Sequence, residues 1–102
     1  MKRKALIIDD EPLASGLVAE HLEPYDQIEL LGQYHDGFAG LKAIQEHRPD
    51  LVFLDIQMPK LSGLELLELL EEERPAVIFT TAFDQYALQA FEAQAVDYLL
   101  KP

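Results

Sequence analysis

Cysteine is absent from the 102 residues, which excludes a disulfide framework, a thiolate metal site and a thiol nucleophile. Positive charge is scarce: 8 Lys plus Arg stand against 19 Asp plus Glu, for a formal net charge of −11. Only Lys2, Arg3 and Lys4 cluster, so the chain lacks the basic patch with which a domain grips nucleic-acid phosphates. Long apolar runs are missing as well. Ala5–Ile8, Leu51–Leu54 and Ala76–Phe79 each stop after four residues, whereas a membrane-spanning helix takes about 20. The run behind the basic start is also too short for a signal peptide. A cytoplasmic protein without direct nucleic-acid or membrane contact is expected.

What is present is an ordinary globular composition, 49% hydrophobic and 26% charged, in a length that suits one domain. There are no linkers, repeats or low-complexity segments. Short apolar runs alternate with longer amphipathic stretches. Ala5–Ile8 reads as a buried strand ending on Asp9-Asp10, and Pro12 suits the first turn of a helix. Leu13, Leu17, Val18 and Leu22 follow at helical spacing until Pro24 stops the segment. Ile28–Tyr34 is a second strand. Asp36 can cap a helix over Gly37–His47 with Phe38, Leu41 and Ile44 on one face.

Leu51–Leu54 is the third strand and ends on Asp55. Ser62 and Glu65 have the spacing of a capping box before a leucine-rich helix. Ala76–Phe79 is the fourth strand and ends on Thr80-Thr81. Asp84 can cap a helix bearing Ala87, Leu88 and Phe91, and Val96–Leu100 is a fifth strand ending on Lys101-Pro102. Strands alternating with helices predict a doubly wound parallel α/β sheet. In such sheets ligands bind beyond the carboxyl ends of the strands. Four separate segments therefore bring Asp9-Asp10, Asp55, Thr81 and Lys101 to one edge.

Three carboxylates at one place repel one another unless a cation lies among them, and hard oxygen donors favour Mg²⁺. The Lys101 ammonium and the Thr81 hydroxyl could hold phosphoryl oxygens. Together these are the parts needed to transfer a phosphoryl group to an aspartate. Singly, each has a plainer explanation: a loop start, a β-forming threonine, a solvated lysine. The three histidines, His21, His35 and His47, lie in separate elements without metal-ligand spacing, and structural or surface roles are expected for them.

Asp9-Asp10-Glu11-Pro12, Asp55-Ile56-Gln57-Met58-Pro59 with Gly63, Thr81-Ala82 and Asp97-Tyr98-Leu99-Leu100-Lys101-Pro102 resemble, in order and over the whole chain, the receiver domain of bacterial response regulators. The resemblance implies a flavodoxin-like five-stranded sheet in the order 2-1-3-4-5. It implies a phosphoacceptor at Asp55, supplied by a sensor histidine kinase, and Mg²⁺ held by Asp9, Asp10, Asp55 and the Gln57 main-chain carbonyl. It further implies that Lys101 pairs with the phosphoryl group, that Thr81 turns toward it, and that Tyr98 is the coupled aromatic switch. A cis Lys101–Pro102 peptide is implied too.

Residues 81–102 are similar to receivers joined to a LytTR-type DNA-binding output domain, which implies a transcription regulator whose output domain lies outside these residues. The family pattern continues into a further helix, whereas this chain stops at Pro102. The sheet face beside the Pro12–Glu23 helix is therefore expected to be partly uncovered, and a homodimer built on the last helices incomplete. Other functions predict other residues. An aspartyl-phosphate hydrolase commonly has an acid where Gln57 stands, and a flavin or nucleotide module wants a Gly-, Ser- or Thr-rich loop in place of Asp9–Pro12. A module that is never phosphorylated has no need of Asp9, Asp10, Asp55, Thr81 and Lys101 together. Gln57 is also placed to affect water attack on an acyl phosphate.

Overall fold

In the computed structural model, residues 2–70, 75–81 and 97–100 are described. The elements run β1 (Arg3–Ile8), α1 (Pro12–Leu22), β2 (Ile28–Tyr34), α2 (Gly37–His47), β3 (Leu51–Asp55), α3 (Gly63–Leu69), β4 (Ala76–Thr81) and β5 (Asp97–Leu100). The strands form one parallel sheet in the order β2-β1-β3-β4-β5, as expected. The helix anticipated after Asp84, the Glu71–Glu73 run, Lys101 and the Lys101–Pro102 peptide lie outside the described residues.

β1 and β3, in the middle of the sheet, carry buried apolar residues on both faces, as strands covered by helices on both sides do. Alternate residues of β1 point to opposite faces. Leu6 and Ile8 join Val52, Leu54 and Phe79 beneath α2 and α3, packed with Ala43, Ile44, Leu66 and Leu67. Ala5, Ile7 and Phe53 face the other way and meet Val18, Ala19 and Leu22 of α1. Leu6, Ile8, Leu54, Leu66 and Phe79 are wholly buried, and each such side chain contributes roughly 1.5–3 kcal/mol by leaving water.

The helix starts follow the expected local chemistry. Asp36 accepts a hydrogen bond from the Ala39 N–H at 2.8 Å, and Pro12 opens α1. Ser62 and Glu65 form both halves of a capping box, at 3.1 Å to the Ser62 hydroxyl and 3.0 Å to the Glu65 carboxylate. The Glu65 carboxyl is held below its ordinary value, chiefly by the Ser62 N–H and secondly by the Ser62 hydroxyl.

Two of the expected apolar faces are corrected. Of the apolar residues expected along α1, Val18 and Leu22 do face the sheet, together with Ala19, whereas Leu13 and Leu17 are 87% and 46% exposed. Ser15 is fully buried on α1 and is tolerated there because its hydroxyl donates to Gln33 Oε1 at 2.6 Å. Phe38, expected beside Leu41 and Ile44, is 56% exposed. Gly40 makes the close contact in its place: a Cβ there would lie 2.6–2.8 Å from three Ile8 side-chain carbons.

Candidate functional site

Strand register brings the polar chain segments to one level. Ile8 pairs with Leu54, Leu54 with Phe79 and Asp55 with Thr80. Asp9 thus leaves β1 where Asp55 ends β3, and Thr81 is one residue farther along β4. Thr81 pairs with Leu100 and Tyr98 with Phe79, which places Tyr98 two residues before the end of β5. The backbones of Thr81 and Tyr98 are described; their side chains are not.

Asp9, Asp10 and Asp55 each offer a carboxylate oxygen, and these oxygens lie within 4.8 Å of one another. Asp9 is 1% exposed and Asp55 3% exposed, while Asp10 is partly open. At about 5 Å and an effective dielectric constant of about 20, two unit charges repel by roughly 3 kcal/mol. Nearby N–H groups meet part of that cost. Glu11 N–H donates to Asp9 Oδ1 at 2.9 Å, and Gln57 N–H to Asp55 Oδ1 at 3.3 Å.

The donor set suits Mg²⁺. All donors are hard oxygens, and octahedral ligands about 2.1 Å from the ion stand roughly 3–4 Å apart. A cluster within 4.8 Å reaches that geometry by small side-chain rotations or with one water between. Among the described residues this is the one group of three or more acidic or histidine side chains that could hold a metal.

The loop from β3 to α3 shapes the rest. Gly63 N–H donates to the Ile56 carbonyl at 2.8 Å and Leu61 N–H to the Pro59 carbonyl at 2.7 Å, while Lys60 takes a left-handed φ of 69°. Gly63 is required by close approach: a Cβ there would overlap the Asp55 carbonyl oxygen and lie 3.0 Å from its carbon. Gln57 is exposed in this loop, on an open cleft with Ile56, Met58, Pro59, Ser62 and Leu64.

One neighbour of the site was not anticipated. His35 Nδ1 lies 3.0 Å from the Asp9 carbonyl oxygen. No spacing rule connects residues 26 positions apart in chain; a histidine directly after a strand that pairs with β1 was the available hint. His21 and His47 are exposed in the last turns of α1 and α2, in keeping with the surface role expected of them.

Comparison with known proteins gives a consistent picture. The family model for the response regulator receiver domain matches residues 5–102. A response regulatory protein of Vibrio cholerae is 58% identical over 99 residues, covering 96% of this chain and 42% of that protein. The transcriptional regulatory protein BtsR of Escherichia coli (strain K12) is 50% identical over 100 residues, covering 97% and 42%. The chain therefore spans less than half the length of these curated relatives. The crystal structure of the response regulatory domain of mrkE from Klebsiella pneumoniae superposes with a TM-score of 0.89 at 37% identity, covering 97% of this chain and 83% of that one.

Proposed function

The chain belongs to the response regulator receiver domain family, and from that membership we propose that residues 1–102 form a phosphorylation-dependent switch whose phosphoacceptor is Asp55. The observation that carries the reading is the convergence of the Asp9, Asp10 and Asp55 carboxylates at the carboxyl edge of the sheet. Receiver domains are signalling domains of two-component systems, working between a histidine kinase and an output domain.

In the proposed reaction an Asp55 carboxylate oxygen attacks the phosphorus of a phosphohistidine on the kinase. The nitrogen–phosphorus bond breaks, the imidazole keeps the electron pair, and Asp55 becomes an acyl phosphate. Asp10 and Asp55 would hold Mg²⁺ directly, Asp9 through water, with the Gln57 carbonyl as a further ligand. When bound, Mg²⁺ supplies positive charge against the carboxylates and the incoming phosphoryl oxygens. Asp55 is held for attack by the Gln57 N–H on its Oδ1 and by the Gly63 contact behind its carbonyl.

Lys101 and Thr81 would then bind phosphoryl oxygens, and Tyr98 would follow the movement of the Thr81 segment. The added charge and acceptor oxygens favour one of two arrangements of that segment. A LytTR-type DNA-binding domain is the proposed output, supported by the resemblance of residues 81–102 and by the 50% identity to BtsR, which is named a transcriptional regulatory protein. Such a regulator would act in the cytoplasm, where its DNA lies.

Incubation with MgCl₂ and a small acyl phosphate, followed by intact mass measurement, tests the reading. One phosphoryl adduct, stable in acid and labile in base, is expected, and Asp55→Asn should abolish it. An adduct that persists in Asp55→Asn would sink the assignment. Asp10→Asn should weaken Mg²⁺ binding by about tenfold or more, since loss of even an outer-shell partner costs about 10–100-fold.

A further inference from the structure

His35 has no role in the switch as described, yet it touches the acidic cluster. Its Nδ1 lies 3.0 Å from the main-chain carbonyl oxygen of Asp9. A carbonyl oxygen can only accept, so Nδ1 carries the hydrogen and donates. One residue earlier, the Tyr34 carbonyl accepts the Asp9 N–H at 2.9 Å. Two consecutive residues at the end of β2 thus hold both main-chain polar groups of Asp9. The ordered pairing of β1 with β2 ends at Ile8 and Tyr34, and past it Asp9 is held by one main-chain bond to Tyr34 and by the His35 side chain.

We propose that His35 is a positioning residue for the acidic site: its Nδ1–H bond to the Asp9 carbonyl presets the Asp9-Asp10 segment for Mg²⁺. The inference rests on reading Asp9, Asp10 and Asp55 as the Mg²⁺ site. The physical need is clear in the cation-free protein. Carboxylates whose oxygens lie within 4.8 Å of one another push their segments apart, and Asp9 is nonetheless held at 1% exposure. Without the His35 bond the segment relaxes outward, and Mg²⁺ must restore its order on binding. The loss therefore falls on affinity. The ordinary net strength of one hydrogen bond sets the scale at about three- to tenfold.

Calorimetric titration with MgCl₂ of the wild-type chain, His35→Ala, His35→Asn and His35→Gln tests this, with thermal unfolding of each in EDTA alongside. His35→Ala should bind Mg²⁺ about three- to tenfold more weakly. His35→Asn should recover most of the affinity, because its amide N–H can stand near the place of Nδ1. His35→Gln should not, because its longer side chain carries the amide past that place. Wild-type affinity in His35→Ala, or equal affinity in the Asn and Gln variants, overturns the proposal. Should His35→Ala fail to fold, the Asn and Gln pair decides alone. A wild-type chain that binds no Mg²⁺, with Asp10→Asn indistinguishable from it, overturns the site reading itself. A lowered unfolding temperature in EDTA with unchanged Mg²⁺ affinity marks His35 as merely structural and also overturns the proposal.

Discussion

The same change, glycine to alanine, should have opposite signs at Gly16 and Gly63. At Gly63 the added Cβ would overlap the Asp55 carbonyl oxygen and lie 3.0 Å and 3.1 Å from the Asp55 carbonyl carbon and Ile56 Cα. These are backbone atoms that cannot rotate aside, so either α3 retreats or the end of β3 moves. Overpacking of this kind costs about 1–3 kcal/mol. Retreat also stretches the bond from Gly63 N–H to the Ile56 carbonyl, now 2.8 Å, whose loss adds about 1 kcal/mol. The expected total is about 2–4 kcal/mol, a large part of the 5–15 kcal/mol that keeps a typical domain folded. At roughly 4–8 °C per kcal/mol, the unfolding temperature should fall by about 10–30 °C.

Gly16 lies inside α1 with nothing within 4 Å of its would-be Cβ. There alanine should stabilise by about 0.5–1 kcal/mol through helix propensity. Gly40→Ala should fall between the two, because its Cβ meets the Ile8 side chain rather than backbone, and helix propensity offsets part of the clash. Thermal unfolding by circular dichroism measures all three, and acyl-phosphate labelling of Gly63→Ala reads the geometry of Asp55 below its melting point. A Gly63→Ala protein within about 0.5 kcal/mol of wild type, or more stable than Gly40→Ala, would show that the Asp55–Gly63 approach does not govern this loop.

Ser62→Ala removes the hydroxyl that caps α3 at 3.1 Å and should cost about 1 kcal/mol in urea unfolding. A change below about 0.3 kcal/mol would deny the cap a stabilising role. Glu65 is held below its ordinary value by Ser62, so its contribution is complete above the unfolded-state pKa and is lost as pH falls through the lower folded one. The stability gap between wild type and Glu65→Gln should stay constant above about pH 5 and shrink toward pH 3. A gap that widens on acidification contradicts the sign.

The sequence alone carried those features whose cause is local. Strand runs such as Leu51–Leu54, the Asp36 cap and the Ser62–Glu65 capping box depend on residues within a turn of one another. Their bounds in the structure match the chain's own signals. The sheet order and the meeting of Asp9, Asp10 and Asp55 were legible for a different reason. Strand ends of a parallel α/β sheet converge by topology, and the matching motifs gave the order.

Only the tertiary structure decided what depends on the path of a particular loop. Helical spacing marked Leu13, Leu17 and Phe38 as apolar but could not say which side of α1 or α2 would meet the sheet. The packing of α1 on the sheet buried Ser15 and left Leu13 in water. The crowding of Gly63 against the Asp55 carbonyl and the His35 hydrogen bond to Asp9 likewise arise from fitting neighbouring chain ends together. Such contacts are fixed to within a few tenths of an ångström by packing, and hydrophobic periodicity carries no information at that scale.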